Sequence, residues 1–159
     1  GTISDVILRI DYTAEEHIPF RTDVENVLAT AMANLPPMRL FSLRHEFPNE
    51  WAMFKNEPAS TDGYRPLSLT FEERHYPFWS KGSVGSIVKA DLYAKTPDAL
   101  NVANNPTGTD AVEFRDKGEF MLAENVHVPA SPRGAYTLFL DDNAVENLWL
   151  VLTWGGLQN

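Results

Sequence analysis

The chain has 159 residues, of which 43% are hydrophobic and 22% charged, proportions that are typical of a folded domain and exclude extensive disorder. At about 150 residues per domain, this length predicts a single domain over 1–159. The absence of cysteine excludes a disulfide framework, a zinc ribbon, an iron–sulfur cluster and a cysteine nucleophile. Acidic residues outnumber basic residues by 22 to 13, and the net charge of -9 argues against binding to nucleic acid or to an anionic membrane.

The first residues, Gly1-Thr2-Ile3, include no Met and no signal-peptide pattern, so we expect the chain to be a fragment of a much longer protein. No apolar run approaches the ~20 residues that a membrane-spanning helix needs. We therefore expect no membrane insertion by this domain.

Two elements are predicted before the first proline pair. Apolar residues alternate over 4–13, which indicates a strand with one buried face. Over 22–35 the period changes to that of a helix with a single apolar stripe, and Thr22 with Glu25 forms a capping-box pattern at its start. Pro36-Pro37 ends this helix, the one convincing helix of the sequence.

The middle of the chain is predicted to be strands separated by proline- and glycine-rich loops. Strand patterns occupy 38–43 and 67–71, and a short helical turn with Pro48 near its start lies between them at 47–54. Another strand is predicted over 87–95. Strict alternation there gives one face with Ile87, Lys89, Asp91 and Tyr93 and an opposite face with Val88, Ala90, Leu92 and Ala94.

The last third begins with a polar stretch, 96–110, which we expect to be a long exposed loop. The strands predicted after it are 111–114 and 119–122, joined by a hairpin turn at 115–118, then 136–140 and 148–154. Residues 148–152 are apolar on both faces, so this strand should lie inside a sheet.

Together these patterns give about eight short strands and one helix in the N-terminal half of the chain. Turn signals recur about every ten residues, as in antiparallel all-β folds. We predict a mainly β protein, an antiparallel β-sandwich with that helix packed on it.

The sequence contains no complete catalytic set. The string Gly82-Ser83-Val84-Gly85 lacks the spacing of a nucleophile elbow and is explained by a turn. His75 has carboxylate neighbours in Glu72 and Glu73, and if 67–75 were a strand, Glu73 and His75 would share a face. We therefore expect no enzyme, and a hydrolase that uses His75 is the weakest alternative.

Metal ligands are equally sparse. A single histidine with one carboxylate cannot hold zinc without a third ligand. The polar loop 96–110 and the segment Asp141-Asp142-Asn143 offer oxygen ligands but lack the EF-hand spacing, and solvated loops explain both. We expect no metal and no cofactor, and calcium stays an open alternative.

Aromatic side chains are the remaining candidates for binding. Trp149 lies in the most apolar strand and is expected in the core. Trp51 and Trp79 are more often core residues than exposed platforms, because large aromatics carry much of the burial in a domain. A carbohydrate-binding site would need at least two tryptophan or tyrosine rings exposed side by side.

Several segments resemble the C-terminal region of the large A component of bacterial Tc insecticidal toxin complexes. The strand around Ser4-Asp5-Val6-Ile7-Leu8 is similar to a strand near the end of that component. In longer members, and in related proteins with neuraminidase-like regions, the chain continues in a way that resembles several later segments of this sequence, whereas residues 96–135 resemble no part of the family. The segments concerned are His45-Glu46-Phe47-Pro48-Asn49-Glu50-Trp51, Leu67-Ser68-Leu69-Thr70, His75-Tyr76-Pro77-Phe78-Trp79 and Asn147-Leu148-Trp149-Leu150-Val151.

The resemblance implies a secreted or bacterial surface-associated toxin machine. Its A component is a large pentamer whose C-terminal region docks the B–C cocoon, and this end of the chain is not enzymatic. In well-known members the chain stops soon after the first strand, so the docking role does not carry over residue by residue to 20–159.

From this resemblance we predict a non-catalytic binding or assembly domain whose partner is another toxin subunit or a host-surface glycan or protein. The candidate contact residues are Trp51, Arg74, His75, Tyr76 and Trp79. An independent carbohydrate-binding β-sandwich is the alternative.

Overall fold

A computed structural model of the chain describes residues 22–23, 26–27, 37–77 and 84–155. The chain divides into two compact units, Gly1–Leu35 and Pro36–Asn159. In the first unit the four described residues are helical, in agreement with the helix predicted over 22–35. The rest of that helix and the strand predicted over 4–13 lie outside the described residues. The single domain over 1–159 stays a prediction.

The second unit contains two antiparallel sheets, which confirms the predicted mainly β, sandwich-type architecture. The five-stranded sheet has the spatial order β1 (Met38–Ser42), β9 (Asn147–Trp154), β3 (Ile87–Lys95), β7 (Met121–Ala123) and β6 (Arg115–Asp116). The four-stranded sheet has the order β2 (Arg65–Phe71), β8 (Gly134–Leu140), β4 (Asn101–Ala103) and β5 (Val112–Glu113).

Two short helices connect the first strands of the two sheets. Helix α1 (Leu43–Glu46) follows β1 directly, and α2 (Pro48–Asn56) packs against β2, an edge strand of the four-stranded sheet. Proline suits the first turn of α2 because its missing N–H would be unsatisfied there in any case. A helix packed against an edge strand also protects that edge from pairing with another chain.

The core lies between the two sheets and follows the alternation of the strands. In β9 every second residue is buried, and the residues between them are half-buried, so this interior strand has an inner and an outer face. The opposite sheet does the same with Leu67 and Leu69 of β2 and with Tyr136 and Leu138 of β8. Burying each such leucine stabilises the fold by about 1.5–3 kcal/mol relative to leaving it exposed.

One irregularity changes which residues of β3 point inward. The register with β9 shifts between Ile87 and Lys89, as a β-bulge does. Ile87 is therefore buried, whereas Val88 is 61% exposed. The strict alternation predicted for this strand is wrong at its first two residues, because the bulge adds one residue to β3 before the regular pairing resumes.

The stretch 96–110 is also more structured than its polar composition predicts. Leu100 and Val102 are buried, and β4, which lies inside this stretch, pairs with both β5 and β8. The prediction of one continuous exposed loop is wrong, since two apolar side chains spaced two residues apart suffice to anchor a short strand. Farther along the same stretch Gly108, with φ +68°, lies against the ring of Tyr64, and a Cβ at this position would come within 2.1 Å of Tyr64 Cε2.

The hairpin before β7 lies two residues later than predicted. Lys117 and Phe120 form the backbone hydrogen bond that closes the turn, and Gly118 within it has φ +82°. The Asp116 carboxylate accepts a hydrogen bond from the Gly118 N–H. Arg115 and Asp116 consequently belong to β6, and the turn predicted at 115–118 is corrected to 117–120.

Candidate functional site

Strand pairing brings apolar side chains together on the outer face of the five-stranded sheet. Tyr93 of β3 lies opposite Trp149 of β9, and Leu40 of β1 lies opposite Val151 of the same strand. Residues directly opposite each other in an antiparallel pair project from the same side of the sheet. Tyr93, Trp149 and Val151 alternate with buried core residues, and Leu40 directly precedes the buried Phe41, so all four project away from the core.

Phe120, in the turn between β6 and β7, completes this surface. Its ring meets Trp149 edge to face, with centroids 5.4 Å apart and planes at 90°. We call Leu40, Tyr93, Phe120, Trp149 and Val151 the outer apolar face. Leu40 is 54% exposed and Phe120 39%, while the other three members are half-buried. The expectation that Trp149 belongs to the core is therefore wrong, because its strand turns the neighbouring leucines inward instead.

Two more apolar side chains on the same sheet extend the exposed area. Met38 lies two residues before Leu40 on β1 and is 45% exposed, and Val88 at the bulge is exposed as well. Large apolar side chains scattered singly over a surface are ordinary, whereas several on one sheet face are typical of an interaction site.

The charged residues of β3 that share this face form local pairs. Lys89 Nζ lies 2.6 Å from an Asp91 carboxylate oxygen, and this hydrogen bond raises the pKa of Lys89. The other Asp91 oxygen accepts a hydrogen bond from the Asn125 N–H. Lys95 lies 3.5 Å from Glu146. Because these charges are already paired, apolar contact is the main chemistry that this surface offers to a ligand.

The residues proposed from the sequence for binding lie elsewhere. Arg74, His75 and Tyr76 follow one another in and just after a 3₁₀ turn, Glu73–His75, beyond the end of β2. Arg74 is exposed and pairs with Glu72 at 2.9 Å, and Glu73 lies 3.8 Å from Arg133. The shared face of Glu73 and His75 would require a strand over the whole of 67–75. No such strand forms, because β2 ends at Phe71.

His75 stabilises this turn through its side chain. Its Nδ1 accepts a hydrogen bond from the Glu72 N–H at 2.9 Å, and the Glu72 carboxylate accepts one from the His75 N–H in return. The imidazole packs against Phe47, with ring centroids 5.0 Å apart. Burial, with a contribution from the Arg74 cation, lowers the pKa of His75 below 6.5. The carboxylates beside this histidine are ion-paired and its Nδ1 is occupied, an arrangement that suits a structural turn.

Tyr76 belongs to the core and is 6% exposed. Its ring meets Phe41 and Trp154 edge to face, and its hydroxyl donates a hydrogen bond to the Pro132 carbonyl. Burial raises the pKa of Tyr76 to about 12. This side chain ties the loop before β8 to the core and has little surface left for a ligand.

Trp51 is a core residue as well, with 8% of its surface exposed. Its ring contacts that of Phe54, three residues later in α2, with centroids 5.6 Å apart and planes tilted by 51°, and the Lys55 ammonium lies 5.9 Å from its ring. The core-packing interpretation of Trp51 is therefore confirmed. Trp79 lies outside the described residues.

In the polar segments considered for calcium, Asp110 and Asp141 hold their carboxylates in internal hydrogen bonds. Asp110 accepts bonds from the Asn104 N–H and the Asn105 side-chain amide, and Asp141 accepts bonds from the Asn101 backbone and side chain. Among the described residues, no group of three or more histidine, aspartate or glutamate side chains is arranged to hold a metal ion. In the part of the chain that the structure describes, no helix has the length and hydropathy of a membrane span.

The sequence did not identify most residues of the outer apolar face as surface residues. Alternation places Tyr93 on the same face of β3 as Lys89 and Asp91. These two charged neighbours indicate, from the sequence alone, that the ring of Tyr93 faces outward. Leu40 and Phe120 gave no such signal, because a strand pattern does not say which of its faces another sheet covers.

Comparison with protein-family models, with curated proteins and with solved structures finds no match to this chain.

Proposed function

We propose that this chain is a non-catalytic binding domain of a Tc-toxin A-component-like protein, secreted or displayed at the bacterial surface. It docks another toxin subunit or a host-surface protein through the outer apolar face. The observation that supports the docking role is that exposed Leu40 and Phe120 share the outer face of the five-stranded sheet with Tyr93 and Trp149. The toxin assignment is supported by the sequence segments that resemble the A component.

The test attaches this chain to a truncated A component and measures complex assembly and cell binding. Leu40→Lys places a charge in the outer apolar face, and we expect it to weaken binding by about tenfold or more. Thr70→Lys is the matched control, because it adds the same charge to an exposed position on the edge strand of the other sheet.

Assembly and cell binding that are unchanged when the whole chain is deleted would contradict the proposed function. An equal loss in Leu40→Lys and Thr70→Lys would instead contradict the assignment of binding to the outer apolar face. Since both positions are exposed, circular dichroism should show that both variants fold.

One observation favours carbohydrate binding as a second candidate. Tyr93 and Trp149 are direct cross-strand partners on the outward face, as a pair of stacking platforms for sugar rings would be. A glycan array with the isolated domain tests this function, and Tyr93→Ala should abolish any signal. Absence of binding at millimolar sugar would exclude it.

A further inference from the structure

Strand β1 is an edge strand of the five-stranded sheet, and within the described part of the chain it pairs with β9 alone. The Trp154 N–H donates a hydrogen bond to the Pro37 carbonyl at 2.8 Å, so the backbone of Pro37 faces β9. In an antiparallel ladder the backbone groups of successive residues face opposite sides. Those of Arg39 and Phe41 therefore face β9 as well, and the residues that alternate with them present their N–H and C=O groups to the free side of β1.

The free side of β1 is open at two residues and closed at a third. The backbone groups of Met38, Leu40 and Ser42 point to this side. The Ser42 N–H donates to a Glu46 carboxylate oxygen at 2.9 Å, which agrees with that direction and leaves this donor occupied. Among the described residues, no hydrogen bond reaches the N–H or C=O of Met38 or Leu40 from the free side. We call Met38 and Leu40 the open edge.

The side chains of the open edge are as accessible as its backbone. Met38 is 45% exposed and Leu40 54%, and both lie on the same face of β1. Natural sheets usually protect an edge with charges, with proline or with a covering helix, as α2 covers β2 here. An edge that offers backbone groups and apolar side chains at the same residues is instead suited to pair with another strand.

We propose that the open edge accepts an extended strand of a protein partner, antiparallel to β1. This inference rests on the proposed function, since it states how the partner docks beside the outer apolar face. In an antiparallel pair, the residues directly opposite Met38 and Leu40 exchange backbone hydrogen bonds with them and project from the same face of the sheet. A partner strand with apolar residues at alternate positions therefore gains backbone hydrogen bonds and extends the outer apolar face.

Charge favours a different protein over a second copy of this chain as the source of that strand. The net charge of -9 makes two copies repel each other. If two copies paired antiparallel through the whole open edge, Met38 of each would face Leu40 of the other, and their Arg39 side chains would lie directly opposite. Like charges at directly opposite positions destabilise a strand pair.

The experiment titrates the isotope-labelled chain with a peptide of alternating threonine and valine that has a lysine at each end, and follows amide hydrogen exchange by NMR. Without peptide, the Met38 and Leu40 amides should exchange faster than those of Arg39 and Phe41, which face β9. With about four-fifths of the chain bound, exchange at Met38 and Leu40 should slow about fivefold, because only the unbound fraction exchanges.

Two N-methylated peptides of the same charge separate backbone pairing from nonspecific attraction. Methylation of the valine amides removes the donors that face β1 and should abolish binding. Methylation of the threonine amides, which face away from β1, should change the dissociation constant less than about twofold.

One substitution removes a donor of the open edge from the chain itself. Leu40→Pro lacks the N–H, and a strand position whose N–H faces away from the sheet accepts proline. Leu40→Ala is the matched control, because it also shortens the side chain but keeps the N–H. The dissociation constant should be about two- to tenfold higher in Leu40→Pro than in Leu40→Ala.

Slow exchange at Met38 and Leu40 in the peptide-free chain would overturn the proposal, and so would equal dissociation constants for the two methylated peptides. Protection that grows with protein concentration alone would assign the edge to a second copy and overturn it as well. Peptide binding at β1 with complex assembly unchanged on deletion of the chain would contradict only the proposed function. Absence of peptide binding with loss of assembly in Leu40→Lys would contradict only strand addition.

Discussion

The side chain of His75 makes the turn after β2 sensitive to acid. Protonation of Nδ1 would set two protons against each other between the imidazole and the Glu72 N–H. Because the pKa of His75 is below 6.5 in the folded chain, the unfolded chain binds the proton first as the pH falls. The free energy of unfolding should therefore decrease from above pH 6.5 down through the folded pKa.

Two measurements check this prediction. An NMR titration of the His75 ring should give a pKa below 6.5. Urea unfolding at about pH 7 and about pH 5 should show a smaller pH dependence in His75→Phe, which keeps a packed ring but cannot be protonated. A titration midpoint above the ordinary value would contradict the prediction.

Ionisation of Tyr76 should lower the free energy of unfolding at alkaline pH, as protonation of His75 does at acid pH. Since the pKa of Tyr76 is raised from 10.0 to about 12, its neutral form adds stability that is fully present below pH 10 and is lost as the pH rises toward 12. Tyr76→Phe also removes the hydrogen bond to Pro132, which should cost about 1 kcal/mol. Urea unfolding measures the cost, and tyrosinate absorbance follows the ionisation. Tyr93→Phe is the control, and an equal loss in both variants would contradict the prediction.

Helix α2 is stabilised chiefly by the side chains that it buries. Phe54 is 1% exposed and its ring packs against Trp51, so Phe54→Ala should cost about 3–5 kcal/mol. Met53→Ala, one residue earlier on the exposed side, should change stability by less than about 0.5 kcal/mol. Chemical denaturation of both variants distinguishes the two faces of the helix, and similar effects from the two substitutions would show that the helix does not pack as described.

At the scale of strands and helices, the sequence predicted what local periodicity encodes. The strands over 87–95 and 148–154 and the helical turn after Phe47 were predicted almost at their observed bounds. The bulge after Ile87 could not be predicted, because it depends on pairing with β9, a strand about sixty residues away along the chain.

The candidate site depended even more on tertiary packing. The sequence correctly favoured the core for Trp51, but Tyr76, a candidate contact residue, is also a core residue, since burial is decided by which face another sheet or helix covers. Conversely Trp149 lies in the most apolar strand but contributes to the outer apolar face. For Tyr76 and Trp149, it is the arrangement of the two sheets, and not residue type, that decides which ring is in the core and which is at the surface.

The chain is acidic as a whole, and the part of it that the structure describes includes the outer apolar face; these two properties have opposite effects on self-association. Near pH 7 the net charge of -9 keeps copies apart, and near the isoelectric pH of 4.8 that repulsion vanishes. We expect light scattering of the isolated domain to increase sharply near pH 4.8. Leu40→Lys should suppress this increase more than Thr70→Lys does, although both shift the charge equally. Equal suppression would mean that association does not involve the outer apolar face.

The contact between Gly108 and the ring of Tyr64 has an evolutionary consequence. Any side chain at position 108 would occupy the space of the tyrosine ring, and the backbone there has the left-handed φ that glycine adopts most readily. Among relatives of this chain, an aromatic residue at 64 should therefore always accompany glycine at 108, whereas loss of the ring does not require loss of the glycine. An aromatic residue at 64 together with a non-glycine residue at 108 would contradict this expectation.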